Sequence, residues 1–325
     1  MAFVRRRRFV ASLAAVAVAN VAARQGAKRP RIVVLHPASV EGSTAYQHLV
    51  PRLAQLGYVD GKTMTVDVRS GNGVTSALPK LVTDAIASRP DVLIVVGPAA
   101  VRVAAAATKV IPIVAIDLES DPVAAGWMRT LARPDSNVTG LFLDLTGMSI
   151  KWLQLLREAA PGVRDVAFLW DASTGQAQLA ATSDAAAKLG LAARTIAIDD
   201  WTRFEGVMTS AMKPRPGALI VLSSPVAFQF SAQLAQFTKA HRVPAISPFR
   251  PFAEAGGLMS YGPDLDLFFM RAPIMVDRIL RGASPADIAV EQPVRYELVI
   301  NDVAARDLGL ALSRALLLRA DEVIR

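Results

Sequence analysis

Three carboxylates crowd a five-residue stretch at Asp117, Glu119 and Asp121. Side chains this close can bind a hard cation through oxygen ligands, or divide acid and base roles between them. A plainer reading of Asp121-Pro122 is a helix N-cap with proline at the first helical position. Hydroxyl and small residues recur in other short stretches: Ser39, Ser43 and Thr44; Ser120; Ser173 and Thr174; Ser223 and Ser224. Each can cap a helix; as a set they can donate hydrogen bonds to a small polar ligand. The histidines are His36, His48 and His241, too scattered for a histidine metal site, and there is no cysteine. Disulfides, thiolate nucleophiles, thiolate metal centres and cysteine-linked lipid are therefore excluded. No G-x-S-x-G elbow and no phosphate-binding G-x4-G-K-[ST] loop occurs, and Gly71-Asn72-Gly73 does not extend to a dinucleotide fingerprint. The sequence offers no catalytic residue, no metal ligand set beyond those carboxylates, and no cofactor.

The elements that position these residues follow from hydrophobic periodicity. Short continuous apolar runs at Ile32–Leu35, Val92–Val96 and Ile113–Ile116 are those of parallel strands covered on both faces. Met64–Val68 is a further strand. Helical spacing is expected over Ser43–Leu56, Ser76–Ser88 and Ala99–Lys109. The order restarts downstream with strands at Val166–Trp170, Arg194–Ile198, Ala218–Leu222 and Pro244–Ser247, and helices at Gly175–Leu189, Arg203–Met212 and Val226–His241. Strand starts are offset by roughly 130 residues throughout. The expected fold class is α/β: two doubly wound α/β lobes joined by a multi-strand hinge. Between the copies lie a helix at Pro122–Ala132, a strand at Val138–Phe142 and a helix at Ser149–Ala160. The tail adds strands at Gly257–Tyr261 and Tyr296–Ile300 and helices at Asp264–Arg281 and Val303–Leu308. Segments this short suit a chain that crosses between lobes more than once. The expected first lobe is 31–137, with about 262–283 returning to it. The second is 138–261, with about 284–325 returning to it.

Open parallel sheets bind ligands beyond the carboxyl ends of their strands. Those loops hold Ser39, Ser43 and Thr44, Gly97-Pro98-Ala99, and Asp117, Ser120 and Asp121 in one lobe. In the other they hold Trp170, Asp171 and Ser173, Ser223 and Ser224, and Phe249 and Arg250. Helices opening there aim backbone N–H groups at the gap, which suits a carboxylate. Tyr46, Trp170, Phe228, Phe249 and Tyr261 can pack on a ring or an apolar side chain. Arg250 is open to two roles, a partner for a ligand carboxylate or a solvated surface charge. His36 ends a strand at the gap, in packing or in a ligand hydrogen bond.

At the N-terminus, Arg5–Arg8 precede an apolar run from Phe9 to Ala19 and the small residues Ala17-Val18-Ala19 and Val21-Ala22-Ala23. This is the layout of a cleaved export signal over residues 1–23, with 24–30 as linker; an uncleaved membrane anchor is the alternative. Arg6-Arg7-Arg8-Phe9-Val10 also fits a twin-arginine pattern. The four arginines supply half of the formal net charge of +8. The remaining body is only mildly basic, and no basic stripe interleaved with aromatics points to nucleic acid.

Several stretches carry a family likeness: Arg133-Pro134-Asp135-Ser136-Asn137-Val138-Thr139-Gly140-Leu141, His241-Arg242-Val243-Pro244-Ala245-Ile246, Glu254-Ala255-Gly256-Gly257-Leu258-Met259-Ser260-Tyr261-Gly262-Pro263, Tyr296-Glu297-Leu298-Val299-Ile300-Asn301 and Leu318-Arg319-Ala320-Asp321-Glu322-Val323-Ile324. Through them the chain resembles the ABC-transporter substrate-binding protein family of the tryptophan/tyrosine-binding type. The resemblance implies a type I periplasmic-binding fold and closure on a small molecule, with an inner-membrane ABC permease as partner. It implies a gap lined by the strand-end loops above, and a hinge at or near Asn137, Thr139, Gly140, Ser260 and Tyr261. Glu119-Ser120 stands where the family more usually has an apolar residue and glycine; the added acid disfavours an anionic ligand or recruits an amino group. The expected function is periplasmic solute binding without catalysis or lipid anchoring. The alternatives are a ligand sensor feeding a signalling partner, and an enzyme built on Asp117, Glu119 and Asp121.

Overall fold

The computed structural model describes residues 29–40, 43–143 and 145–325. The expected export signal, 1–23, and most of the linker lie outside the described residues.

Two sheets organise the chain. The first comprises β1 (Arg31–His36), β2 (Thr65–Ser70), β3 (Val92–Val96), β4 (Ile113–Asp117) and β5 (Val138–Phe142), in the order β2-β1-β3-β4-β5. All its pairings are parallel. Alternate residues of each strand serve opposite faces. Ile32, Val34, Ile94, Val114 and Ile116 belong to one buried cluster, and Val33, Leu35, Leu93, Val95, Ile113 and Ala115 to the other. Helix α1 (Thr44–Gln55) contributes Leu49 and Leu53 to the first cluster. Helices α2 (Leu78–Ala87) and α3 (Pro98–Ala107) contribute Val82, Ala85, Val101 and Ala104 to the second. Both faces are covered, which is why these strands read as unbroken apolar runs.

The second sheet has the order β12-β11-β10-β9-β8-β6-β7. Its strands are β6 (Asp165–Asp171), β7 (Ala192–Ile198), β8 (Ala218–Val221), β9 (Ala245–Ser247), β10 (Met259–Pro263), β11 (Tyr296–Asn301) and β12 (Glu322–Ile324). Its first five strands in chain order are arranged β7-β6-β8-β9-β10, the same second-first-third-fourth-fifth order as the first sheet. Two strands are added at the edge, β11 antiparallel to β10 and β12 parallel to β11. The fold is thus two α/β lobes of one plan.

The fifth strand of each lobe leads out of it. β5 leaves towards α4 (Ser149–Ala159) beside the second sheet, whereas β10 leaves towards α10 (Leu265–Phe269) and α11 (Ala272–Leu280), which return to the first lobe. There His48 Nε2 meets Asp266 Oδ1 at 2.9 Å and the Tyr58 hydroxyl donates to Asp277 at 3.0 Å. A third passage follows: Glu291 N–H donates to Gly140 O at 3.0 Å and Phe142 N–H to Glu291 O at 3.1 Å, after which the chain enters β11. The chain therefore passes between lobes more than once. The expected boundary at 137/138 is corrected: β5 pairs with β4 from Val138 to Phe142, so the first sheet continues past it.

Three expected helices differ. The stretch Pro122–Ala132 forms turns: Asp121 Oδ1 accepts from Val123 N and Ala124 N, but Gly126 enters the left-handed region (φ 72°) after one turn and ends it. Val226–His241 divides into α7 (Pro225–Gln229) and α8 (Ser231–Ala240). Asp264–Arg281 divides into α10 and α11, with Pro273 near the α11 N-terminus, where its missing N–H costs no helical bond. The remaining helices are α5 (Ala177–Lys188), α6 (Phe204–Ala211), α9 (Arg250–Glu254), α12 (Asp302–Asp307) and α13 (Arg314–Arg319).

Candidate functional site

The carboxyl ends of the two sets of strands meet at a narrow gap with a cavity volume of about 40 Å³. The first lobe supplies His36, Ser43, Val96, Ile116, Leu118 and Glu119; the second supplies Ser224, Pro225, Phe228, Gln229 and Phe249. The returning helix α10 adds Leu265 and Phe269. The wall is mostly apolar with a few convergent polar groups, the usual make-up of a small-molecule site.

Contacts bridge this gap. The Ser223 hydroxyl donates to Glu119 Oε1 at 2.7 Å, and both residues are buried. The Gln229 amide donates to the Ser39 carbonyl. Gly97, at the α3 N-cap with φ 80°, lies against Pro225; a β-carbon there would come within 2.7 Å of Pro225 Cγ. At one flank Val74 and Asp200 form an antiparallel bridge.

Glu119 sits in an acidic turn. Asp117 ends β4, fully buried, and its Oδ1 accepts from Glu119 N at 2.9 Å and Ser120 N at 3.0 Å. Its Oδ2 has no hydrogen-bond partner among the described residues. Burial raises the Asp117 pKa, which its backbone donors partly offset. Burial, with the adjacent Asp117 charge, raises that of Glu119 well above the ordinary carboxylate value. Asp121 is exposed and spends its carboxylate capping the following turn. No group of three metal-ligating side chains converges among the described residues. His36 is buried at the end of β1, with Nδ1 3.1 Å from both the nitrogen and the oxygen of Ala38; burial lowers its pKa to about 4, so the ring is neutral.

The other sequence-selected residues separate into groups. Ser43 and Ser224 line the gap while capping α1 and α7, accepting from Tyr46 N at 3.3 Å and Ala227 N at 2.8 Å. Thr44 opens α1, and Pro98 and Ala99 are the first residues of α3 behind Gly97. Phe249 is buried on the gap and meets Phe228 edge to face at 5.1 Å. Trp170, Asp171 and Ser173 form a self-contained turn. The Trp170 indole donates to Gly175 O at 2.8 Å, Asp171 Oδ1 accepts from Ser173 N, and Asp171 Oδ2 accepts from the Trp201 indole.

Arg250 is not among the residues lining the gap. Its guanidinium pairs with Glu254, with Glu297 at 2.8 Å and with Glu322, tying α9 to β11 and β12. Of the expected hinge residues, Thr139 donates to Ile288 O at 2.7 Å and Gly140 accepts from Glu291, both on the third passage. The Tyr261 carbonyl accepts from the Trp152 indole at 2.7 Å, and Ser260 is buried in β10. Asn137 lies at the opposite end of β5 from the crossing, where its amide holds Thr108 O and Ile111 O.

Sequence reasoning missed Val96, Ile116, Gln229, Leu265 and Phe269. The last two arrive on a helix remote in sequence; the only signal was the apolar cluster Leu265, Leu267, Phe268 and Phe269 directly after a strand.

Comparison with known proteins fits this geometry. The chain belongs to the ABC transporter substrate binding protein family, which it matches over residues 32–324. A tyrosine-binding protein of Clostridioides difficile is 21% identical over 285 residues, covering 86% of this chain and 79% of the relative. The ABC domain from Streptococcus pneumonia in complex with L-Trp superposes with a TM-score of 0.79 at 24% identity, covering 91% of this chain and 100% of that one. A conserved domain protein from Vibrio cholerae gives a TM-score of 0.80 at 23% identity, with the same coverage.

Proposed function

We propose that the chain is the exported, periplasmic solute-binding component of an ABC importer. It takes one small ligand in the gap between the lobes and holds it by hinge closure. Residues 1–23 act as the cleaved export signal. The ligand is an apolar or aromatic amino acid, or a close aromatic relative. It is bound, not converted.

One observation carries this reading: a mostly apolar gap is lined from both lobes and from α10, and the lobes are bridged beside it by Ser223 and Glu119. A molecule there touches both halves at once, so it stabilises the approach of the lobes over their separation. Phe228 and Phe249 offer an edge-to-face pair for a ring, and Ser43 and Ser224 offer polar atoms beside it. The relatives' tyrosine and L-Trp fit an aromatic side chain in such a gap. The closed form is the one an inner-membrane permease would accept.

Isothermal titration of the chain lacking residues 1–23 against amino acids and aromatic acids, paired with small-angle scattering, tests this. Binding of one ligand per chain with a smaller radius of gyration is expected. No heat across the panel overturns it.

A further inference from the structure

Among the described residues lining the gap, Glu119 is the only one that carries a formal charge at neutral pH when ionised; no lysine or arginine lines it. His36, the other titratable group, is neutral. Among the described residues the gap is therefore lined by one carboxyl group and no cationic side chain. An anionic ligand would bring a second negative charge into a buried apolar space with no counter-charge, whereas a ligand with a cationic nitrogen would supply the missing partner. A second, independent observation lies in the same turn. Asp117 Oδ2 is buried without a partner among the described residues, two positions from Glu119. Across the gap, Gln178 Oε1 accepts from Ser223 N at 2.6 Å, while its Nε2 is also unpartnered. Buried polar atoms are normally satisfied. An unused acceptor and an unused donor thus flank the Glu119–Ser223 bond.

We propose that Glu119, supported by Asp117, is the specificity-determining residue of the gap and selects apolar molecules that bear a protonated amine over the corresponding simple carboxylic acids. This rests on the proposed binding role and narrows its ligand class. Retention of the ligand, as distinct from its selection, is tied to lobe approach, because the same carboxylate is gripped by Ser223 from the other lobe. Ser120 and Ser224 do not replace it: Ser224 Oγ accepts from Ala227 N in capping α7, and Ser120 is turned towards Asp117, to which its backbone N–H donates at 3.0 Å.

Titration of two matched sets tests the proposal. One comprises phenethylamine, L-phenylalanine amide, L-phenylalanine and 3-phenylpropanoate; the other comprises the corresponding indole compounds. The amine-bearing members should bind at least tenfold more tightly than the propanoate in at least one set. In Glu119→Gln, a near-isosteric change whose folding is checked by thermal melting, that preference should fall at least tenfold; Asp117→Asn should reduce it less. Ser223→Ala should weaken all members together and leave the preference intact. Equal binding of amine and propanoate, or an unchanged preference in Glu119→Gln, overturns the proposal while leaving small-molecule binding standing. Failure of every member of both sets to bind the unaltered chain overturns the binding role and this selection with it.

Discussion

Gly97 of the first lobe lies directly against Pro225 of the second, with room for a hydrogen but not for a methyl group. Its φ of 80° is also one that residues with a β-carbon adopt only under strain. Gly97→Ala should therefore act twice, costing about 1 kcal/mol of fold stability and prising the lobes apart. Scattering should show a larger radius of gyration without ligand, and titration should show weaker binding. Unchanged dimensions and affinity would mean the Gly97–Pro225 contact does not govern lobe approach.

The Ser223 hydroxyl donates to Glu119 Oε1, while Leu118 N–H donates to Oε2 at 3.2 Å. Ser223→Ala leaves a buried acceptor unsatisfied, with an expected penalty of about 1–3 kcal/mol on the lobe-to-lobe contact. A double-mutant cycle with Glu119→Gln should return a coupling energy of about 1 kcal/mol in ligand binding. Strict additivity would show that the two side chains act separately.

Acid and base should act on this protein in opposite ways through two neighbouring groups. His36 is neutral when folded, with its pKa at about 4 against 6.5 when unfolded. Between those values the unfolded chain takes up a proton that the folded chain refuses. The stability His36 contributes is intact above pH 6.5 and drains away as pH falls towards 4, by roughly 3 kcal/mol at the limit. Glu119 is the reverse: its raised pKa means the folded state keeps a proton that the unfolded state releases, so stability is lost as pH rises above the ordinary carboxylate range. Thermal melts across pH should be flatter on the acid side for His36→Asn and flatter on the alkaline side for Glu119→Gln. The same slopes as the parent would refute the assignment.

Gly140, in the fifth strand of the first sheet, has no room for a side chain: a β-carbon would overlap the backbone of Ala115 in β4. Gly262, in the fifth strand of the second, would meet the Pro248 carbonyl in the same way. Gly140→Ala or Gly262→Ala should cost more than about 2 kcal/mol, seen as a lower melting temperature and poor recovery of folded protein. A melting temperature within a degree or two of the parent would contradict the close approach.

Arg250→Ala separates the two roles that its sequence position allowed. With its guanidinium engaged by Glu254, Glu297 and Glu322, the substitution should lower the melting temperature by a few degrees and leave ligand affinity within about twofold. A loss of affinity at unchanged stability would restore the ligand-carboxylate role.

The lobes were legible in the sequence because their strands are buried on both faces. Ile32–Leu35 and Val92–Val96 carry no polar interruption, so period and burial agree. The repeat in strand order was legible for the same reason. Residues at strand ends, such as Ser43, Ser224 and Phe249, could be placed at the gap because a parallel sheet dictates where its loops emerge. Partnerships were not legible. Nothing local to Glu119 announces Ser223, and nothing near Arg250 announces Glu322, since both pairs are made by tertiary packing. The stretch after Asp121-Pro122 shows the limit of local rules: cap and proline are both used as a helix start would use them, yet Gly126 stops the chain after one turn.

The fifth strands carry one more consequence. Because β5 and β10 each hand the chain to the opposite half, the first half is finished only when 288–291 has settled beside β5. A chain that folds as it appears in N-to-C order cannot complete the first half before the second is built. Truncation near residue 262 would leave Leu49 and Leu53 without the cover of α10 and α11, so the smallest unit able to mature is nearly the whole chain.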